Sequence, residues 1–286
     1  MGAARVGGTG HGSPGNQPHV PWTSGTRVSR ALLTHLATPV EPVLSGLLAV
    51  MDPEEVLACI RSGSVSTDAA DRLDSMARPR LESMLSRWRR LLVGLPADGG
   101  IAAARAGGVR LICPGDSEWP SALDDLGPRR PCALWARGSG DLRECITRSV
   151  AVVGTRAATA YGVHVTGEIT TGLAAAGLTI ISGAAYGVDA AAHRATLAAG
   201  APTVAVLACG PDVSYPREHA GLLQQITARG VVVSEYPPRW RPTRAAFLVR
   251  NRIIAALGVG GMVVVEAGLR SGTLNAVSHA DLLGRL

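Results

Sequence analysis

The spacing of apolar and polar positions divides the chain into regions of different character. Residues 1–28 hold many Gly, Pro, Ser and Thr and show no apolar period, so they are expected as a disordered tail. Over 29–100 the apolar residues recur at three and four positions, as on one face of a helix. Leu32, Leu33 and Leu36 precede a break at Pro39 and Pro42, and Leu44, Leu47, Leu48 and Met51 follow it. Asp52, Pro53 and Glu55 stand where an N-cap, a first helical proline and the partner of a capping box belong. Leu73, Met76, Leu81, Met84, Leu85 and Trp88 give a further helical set. This region is expected as a small all-helical domain. Its Arg87, Arg89 and Arg90 are either a phosphate contact or a solvated helix face.

Residues 101–149 are expected as a connector with short strands at 109–113 and 133–136. Beyond it, apolar and largely β-branched runs at 150–153, 178–182, 203–209, 231–235 and 261–266 alternate with helix-like segments at 160–176, 188–199, 217–229 and 246–257. Runs with so little alternation suit strands buried on both faces. Right-handed β-α-β connections then give an α/β fold, a Rossmann-like, doubly wound and mostly parallel sheet over residues 150–286.

Composition adds a partner class. The formal charge is +6, and all 28 basic residues are arginine. Arginine is a planar, bidentate donor suited to phosphate. The five cysteines, Cys59, Cys113, Cys132, Cys145 and Cys209, form no C-x-x-C pair and read as small buried hydrophobes of a reducing compartment. No apolar run reaches the roughly 18 residues of a membrane helix, and residues 1–26 lack the apolar centre of a signal peptide. A cytoplasmic protein without membrane contact is expected.

Ligands of such a sheet bind beyond the carboxyl ends of its strands. There the sequence places Gly154-Thr155-Arg156, then Ser182 to Gly187, then CGPDVSYPRE with Arg217, then EYPPRWRPTRAAFLVRNR, then EAGLRSGTL. Of 11 arginines from residue 150 onward, eight lie in these loops or at their edges: Arg156, Arg217, Arg239, Arg241, Arg244, Arg250, Arg252 and Arg270. Charge gathered along one edge points to a polyanion. A dinucleotide fingerprint would need glycines where Arg156 and Thr159 stand, and an acid where Ile181-Ser182-Gly183 ends the second strand, so a nicotinamide site is excluded. Asp189 and His193, one helical turn apart, are either an acid/base pair or a helix cap beside a locally bonded imidazole. Glu235 and Glu266 are either catalytic carboxylates or ion-pair partners that orient Arg250 or Arg252. Tyr186 and Trp240 either stack on bases or pack. No His/Cys/Asp cluster has metal-ligand spacing, and no cofactor is expected.

The series VAVVGTR, TIISGAAYGVDAAAH, VAVLACGPDVSYP, SEYPP, RNRIIAAL and VVVEAGLRSGTL resembles the DNA-processing protein A (DprA/Smf) family, over roughly residues 105–286 and in the family's order. PGDSEWPSALDDL resembles that family's lead-in, and the helical region its sterile-alpha-motif-like (SAM-like) domain. The resemblance implies a protein, not an enzyme, that binds single-stranded DNA. Such a protein protects incoming DNA during natural transformation and loads the RecA recombinase onto it, working as a homodimer. It places Gly154, Thr155, Arg156 and Arg217 in the DNA pocket and has Ser182, Gly183 and Gly187 present backbone to phosphates. Arg250, Asn251 and Arg252 match the family's R-N-R motif, and Ser271, Gly272 and Thr273 its S-G-S/T turn. The family's core continues into a further strand near its dimer contact, so a form shortened at Leu286 is expected. The alternative is a Rossmann-like nucleotide-processing enzyme of the phosphoribohydrolase kind. Its P-G-G-x-G-T-x-x-E motif is matched only by EAGLRSGTLNAV, with Ala276 where the catalytic glutamate would stand.

Overall fold

A computed structural model describes residues 24–268 and 272–286. Of the expected tail, residues 1–23 lie outside the described residues. Its last part already belongs to the first helix, α1 (Ser24–Leu36), where Arg27 grips Asp116 at 2.6 and 2.7 Å and the Leu111 carbonyl at 2.6 Å.

Helices α2 (Pro42–Val50), α3 (Pro53–Ser62), α4 (Thr67–Asp71) and α5 (Leu81–Leu92) complete the helical module. Their apolar faces meet in one core around Leu33, Leu47, Val56, Ile60, Leu85 and Trp88. The expected start of α3 is present: Pro53 is its first residue, and the Asp52 N–H donates to Glu55 Oε2 at 2.9 Å. The module is seated on the sheet by polar ties. Trp135 Nε1 donates to Thr34 Oγ1 at 3.1 Å, and Arg30 Nη1 to the Cys132 carbonyl at 2.7 Å.

After α6 (Ile101–Ala106) come β1 (Val109–Ile112), β2 (Leu134–Arg137) and α7 (Leu142–Ile146). The alternation that follows is β3 (Ser149–Val153), α8 (Ala160–Ala175), β4 (Thr179–Ser182), α9 (Val188–Ala198), β5 (Thr203–Val206), α10 (Ala220–Arg229), β6 (Val231–Ser234), α11 (Arg244–Leu257), β7 (Met262–Val264) and α12 (Gly272–Leu282). All seven strands form one sheet in the order β1-β2-β6-β5-β4-β3-β7. The five strands from β6 to β7 run parallel, and β2 runs antiparallel to both β1 and β6. The segment read as a connector thus contributes two strands to the same sheet.

Strand residues alternate between two cores. Ala151, Val153, Ile181, Val204, Val206 and Val233 pack against Ile253, Ile254 and Leu257 of α11. Val150, Val152 and Ile180 face Val188 and Ala192 of α9, while Ala205 and Val232 face Leu222 and Ile226 of α10. The chain steps outward from β3 to β6 and then returns across to β7. The order therefore reverses at β3, and that is where an α/β sheet opens a crevice. All five cysteines are free, and burial pushes the Cys113 and Cys209 thiols up to about 12.

Candidate nucleic-acid interface

The crevice at β3 is built from interlocked loops. Gly154 lets the loop after β3 lie against α9, because a Cβ there would come within 2.5 Å of Val188 Cγ2. The Thr155 N–H donates to the Glu266 carbonyl at 2.6 Å, and the Val188 N–H donates to the Thr155 carbonyl at 3.2 Å. These contacts hold three strand ends in register around one cleft.

At the two helix N-termini that flank the first loops, some backbone donors are already taken by the protein's own acids. At α8, the Thr159 N–H and hydroxyl donate to Glu266 Oε2 at 3.0 and 3.3 Å. A side chain at Gly162 would overlap that carboxylate. At α9, buried Asp189 accepts the Ala185 N–H at 3.2 Å. A helix N-terminus attracts an anion, and a carboxyl group of the protein lies close to each of these two. The Thr159 and Ala185 N–H groups are thus spent on the protein's own acids, and guanidinium groups add to the attraction of the cleft.

They do so around one aromatic ring. Arg156, exposed on the loop after β3, lies with Cζ 4.6 Å from the centroid of Phe247 on α11. Arg250 lies one turn along α11, with Cζ 6.0 Å from the same centroid. Tyr215 leans on the ring from the loop before α10, with centroids 5.6 Å apart. Arg250 is 4% exposed, and its Nη1 donates to the Val206 carbonyl at 2.8 Å. Burial pushes its pKa down, with Arg156 adding to the shift and Asp189 opposing it. Burial likewise pushes the Asp189 carboxyl up, while Arg250 draws it down. An arginine stays charged even so, so two like charges share one ring and an anion between them would relieve the repulsion.

The cleft over this cluster has a volume of about 770 Å³. It brings together Gly154, Thr155 and Arg156 with Arg250 and Asn251, and with Gly272 and Thr273 at the start of α12. Asn251 Nδ2 ties α11 to α12 by donating to the Gly272 carbonyl at 3.1 Å and to Asn275 Oδ1 at 3.2 Å. Ser271 and Arg270 lie outside the described residues.

Five expected site residues sit elsewhere. Arg252 is fully buried and pairs bidentately with Glu235, at 2.6 and 2.5 Å, while its Nε donates to the Arg129 carbonyl at 2.9 Å. It is a structural ion pair and cannot touch a ligand. Ser182 is buried, its hydroxyl donating to the Val152 carbonyl at 2.7 Å. Gly183 is buried beneath Arg250, whose guanidinium fills the space of its missing Cβ. Gly187 packs on the backbone of Thr155 and Arg156 instead of facing the cleft. Arg217 is exposed just beyond Tyr215, outside the lining.

The open alternatives also resolve. Glu235 is the partner of Arg252, and Glu266 accepts from Thr159, the residue that caps α8. Trp240 packs beside Tyr236, with centroids 5.8 Å apart. Arg244, one of the eight arginines along the expected edge, also lines the cleft, as do Phe247 and Tyr215, which were not singled out from the sequence as binding groups. Phe247 carried a signal: it is the chain's one phenylalanine, three positions before Arg250 on a helix.

His193 does not meet Asp189 as an acid/base pair. Its Nδ1 is 2.8 Å from Thr203 Oγ1, whose own hydrogen goes to the Ile180 carbonyl at 2.6 Å. Nδ1 therefore carries the proton, and buried Nε2 has no hydrogen-bond partner among the described residues. Burial pushes its pKa down to about 3 from 6.5. Above the unfolded value both states are neutral. Below it only the unfolded chain takes up the proton, so stability is lost as pH falls from about 6.5 towards 3. Thermal melts should show the wild type losing about 2 kcal/mol between neutral pH and pH ~5 through this group. The loss should shrink in His193→Asn; equal acid sensitivity in both would contradict this assignment.

Among the described residues no group of His, Cys, Asp and Glu is arranged to hold a metal, and no helix is long and apolar enough to cross a membrane. Residues 110–286 match the family described as DNA recombination-mediator protein A. The putative DNA processing protein DprA of Mycobacterium tuberculosis (strain H37Rv) is 42% identical over 266 residues, 90% of this chain and 64% of that protein. The DNA processing protein DprA of Bacillus subtilis is 34% identical over 185 residues, 65% of this chain and 61% of that protein. The chain thus spans a little under two thirds of these relatives. The crystal structure of DNA processing protein A from Streptococcus pneumoniae matches with a TM-score of 0.67 at 29% identity, over 91% of this chain and 84% of that one. The Helicobacter pylori protein, described with a single-stranded DNA binding mode, matches with a TM-score of 0.54 at 30% identity, over 58% of this chain and 75% of that one.

Proposed function

The chain belongs to the DNA recombination-mediator protein A family, and from that premise we propose that it binds single-stranded DNA in the arginine-lined cleft. The observation that carries this reading is the pair of guanidinium groups, Arg156 and Arg250, gathered on the ring of Phe247. Arg156 and Arg244 reach phosphates from the two walls, and buried Arg250 supplies a charge less screened by water. Phe247 and Tyr215 offer stacking faces to unpaired bases. In a duplex those base faces are covered by neighbouring pairs, so the geometry favours a single strand.

The same reading covers the protein's task. It shelters incoming single strands during transformation and passes them to a RecA-type recombinase, as a cytoplasmic homodimer without catalytic activity of its own. The acids at the strand ends support a binding role over catalysis, since Glu235 is committed to an ion pair and Glu266 to the capping residue Thr159.

Titration with single- and double-stranded oligonucleotides at two salt concentrations tests the reading. Single strands should bind more tightly, with a log–log salt slope of about −3 if four arginines engage. Arg156→Ala should weaken binding to all sequences alike and reduce the slope by about 0.7. A preference for duplex, or an unchanged slope in that variant, would contradict it.

A further inference from the structure

Helix α5 and the end of α3 carry a cationic face that the cleft does not use. Leu81, Met84, Leu85 and Trp88 of α5 turn inward at helical spacing. Arg87, Arg89 and Arg90 are exposed on its remaining surface, and none of them makes a salt bridge among the described residues. Arg89 reaches the end of α3, where its Nη1 lies 3.2 Å from the place a Cβ would take at Gly63. Exposed Arg61 stands two residues before that glycine. Neither residues 59–67 nor residues 83–97 contain an acid, so these cations have no counter-charge from their own segments. Arginines in the last turn of a helix favour its C-terminal carbonyls, which accounts in part for Arg89 and Arg90.

It does not account for their apolar neighbours. Leu91 is 45% exposed and Val93 86%. Leu91 follows Arg87 by four positions, and Val93, still at helical angles, follows Arg89 by four. Each therefore lies one turn beyond a guanidinium on the same side. Arginine interleaved with exposed apolar groups is the composition of a protein interface. A nucleic-acid strand would ask for a stacking face, and the one aromatic ring of α5, Trp88, is fully buried. The face is also remote from the cleft in the sheet order. The helical module is seated on β2, four strand spacings or about 19 Å from β3, and none of its residues lines the cleft.

We infer that this face docks a segment of another protein in which carboxylates alternate with apolar side chains. The carboxylates meet Arg87, Arg89 and Arg90, and the apolar side chains cover Leu91 and Val93. The inference does not rest on the reading of the cleft. It adds to that reading, because the cleft stays open and one molecule can hold a strand and a partner protein together.

Fluorescence anisotropy tests it with a labelled peptide of repeating Glu-Glu-Leu, about 15 residues long, in the presence of saturating oligothymidylate. The wild type should bind this peptide, and less tightly as salt rises. Arg87→Glu with Arg90→Glu should weaken the peptide about tenfold or more, and should then prefer a Lys-Lys-Leu peptide of the same length. Leu91→Ser with Val93→Ser should weaken it about fivefold. Both double variants should keep the oligothymidylate affinity of the wild type, and Arg156→Ala should keep its peptide affinity. Matching melting temperatures check that the variants fold. Peptide affinity untouched by either double variant overturns the inference, as does a wild type that fails to bind the peptide. So does a charge reversal that costs oligothymidylate affinity and spares the peptide, since the arginines then serve nucleic acid. If Arg156→Ala binds oligothymidylate like wild type while both double variants lose the peptide, the cleft reading fails and the docking face stands.

Discussion

Arg252→Leu should destabilise the protein by about 3–5 kcal/mol, enough to leave much of a marginally stable chain unfolded. The side chain is fully buried and shares two hydrogen bonds with Glu235, which is itself 7% exposed. The same guanidinium satisfies the Arg129 carbonyl from Nε and the Val249 carbonyl from Nη1, at 2.9 and 3.0 Å. Leucine removes all of these donors and strands a carboxylate in the interior. The loss should show in chemical denaturation as a lower midpoint with an unchanged slope. The double variant Arg252→Leu with Glu235→Leu should be more stable than the single one, because no uncompensated charge remains. A single variant that unfolds with the wild type would refute the role assigned to this pair.

Gly187→Ala should cost about 2–6 kcal/mol and weaken DNA binding together with stability. Gly187 adopts φ 73° and ψ −126°, a region essentially reserved for glycine. An added Cβ would also overlap the Thr155 carbonyl oxygen and come within 2.8 Å of the Arg156 carbonyl carbon and oxygen. Neither obstacle is a flexible side chain, so the loop after β3 must move off α9. Arg156 then leaves Phe247. Thermal melts and strand binding should therefore fall together. A variant that melts and binds like the wild type would show that this packing does not position Arg156.

The parallel strands were legible in the sequence for a physical reason. Buried on both faces, β3 to β6 read as nearly unbroken apolar runs such as SVAVV and VVVS. Their ends were less so: the run expected over 203–209 leaves the sheet after Val206. The strand LWAR gave no sign that it would pair antiparallel with β6, because a four-residue strand looks the same in a connector as in a sheet.

The site was legible in kind but not in detail. The arginines of the R-N-R motif are two positions apart on α11, about 200° around a helix. One must face the cleft and the other away, and only the packing of Glu235 against Arg252 decides which. The helix N-termini misled for a similar reason. Glu266 lies 107 residues from Thr159 in sequence, and nothing local announces that its carboxylate takes the Thr159 N–H at the start of α8.

The central claim is that a single strand lies across Arg156, Phe247 and the starts of α11 and α12. Hydrogen–deuterium exchange with and without a saturating single-stranded oligonucleotide tests it directly. Protection should rise at residues 154–157, in the first turns of α11 around 244–251, and at 272–276. It should leave the exposed arginines of α5, Arg87, Arg89 and Arg90, unchanged. Protection centred on α5, with residues 154–157 and 244–251 exchanging as in the free protein, would contradict the account.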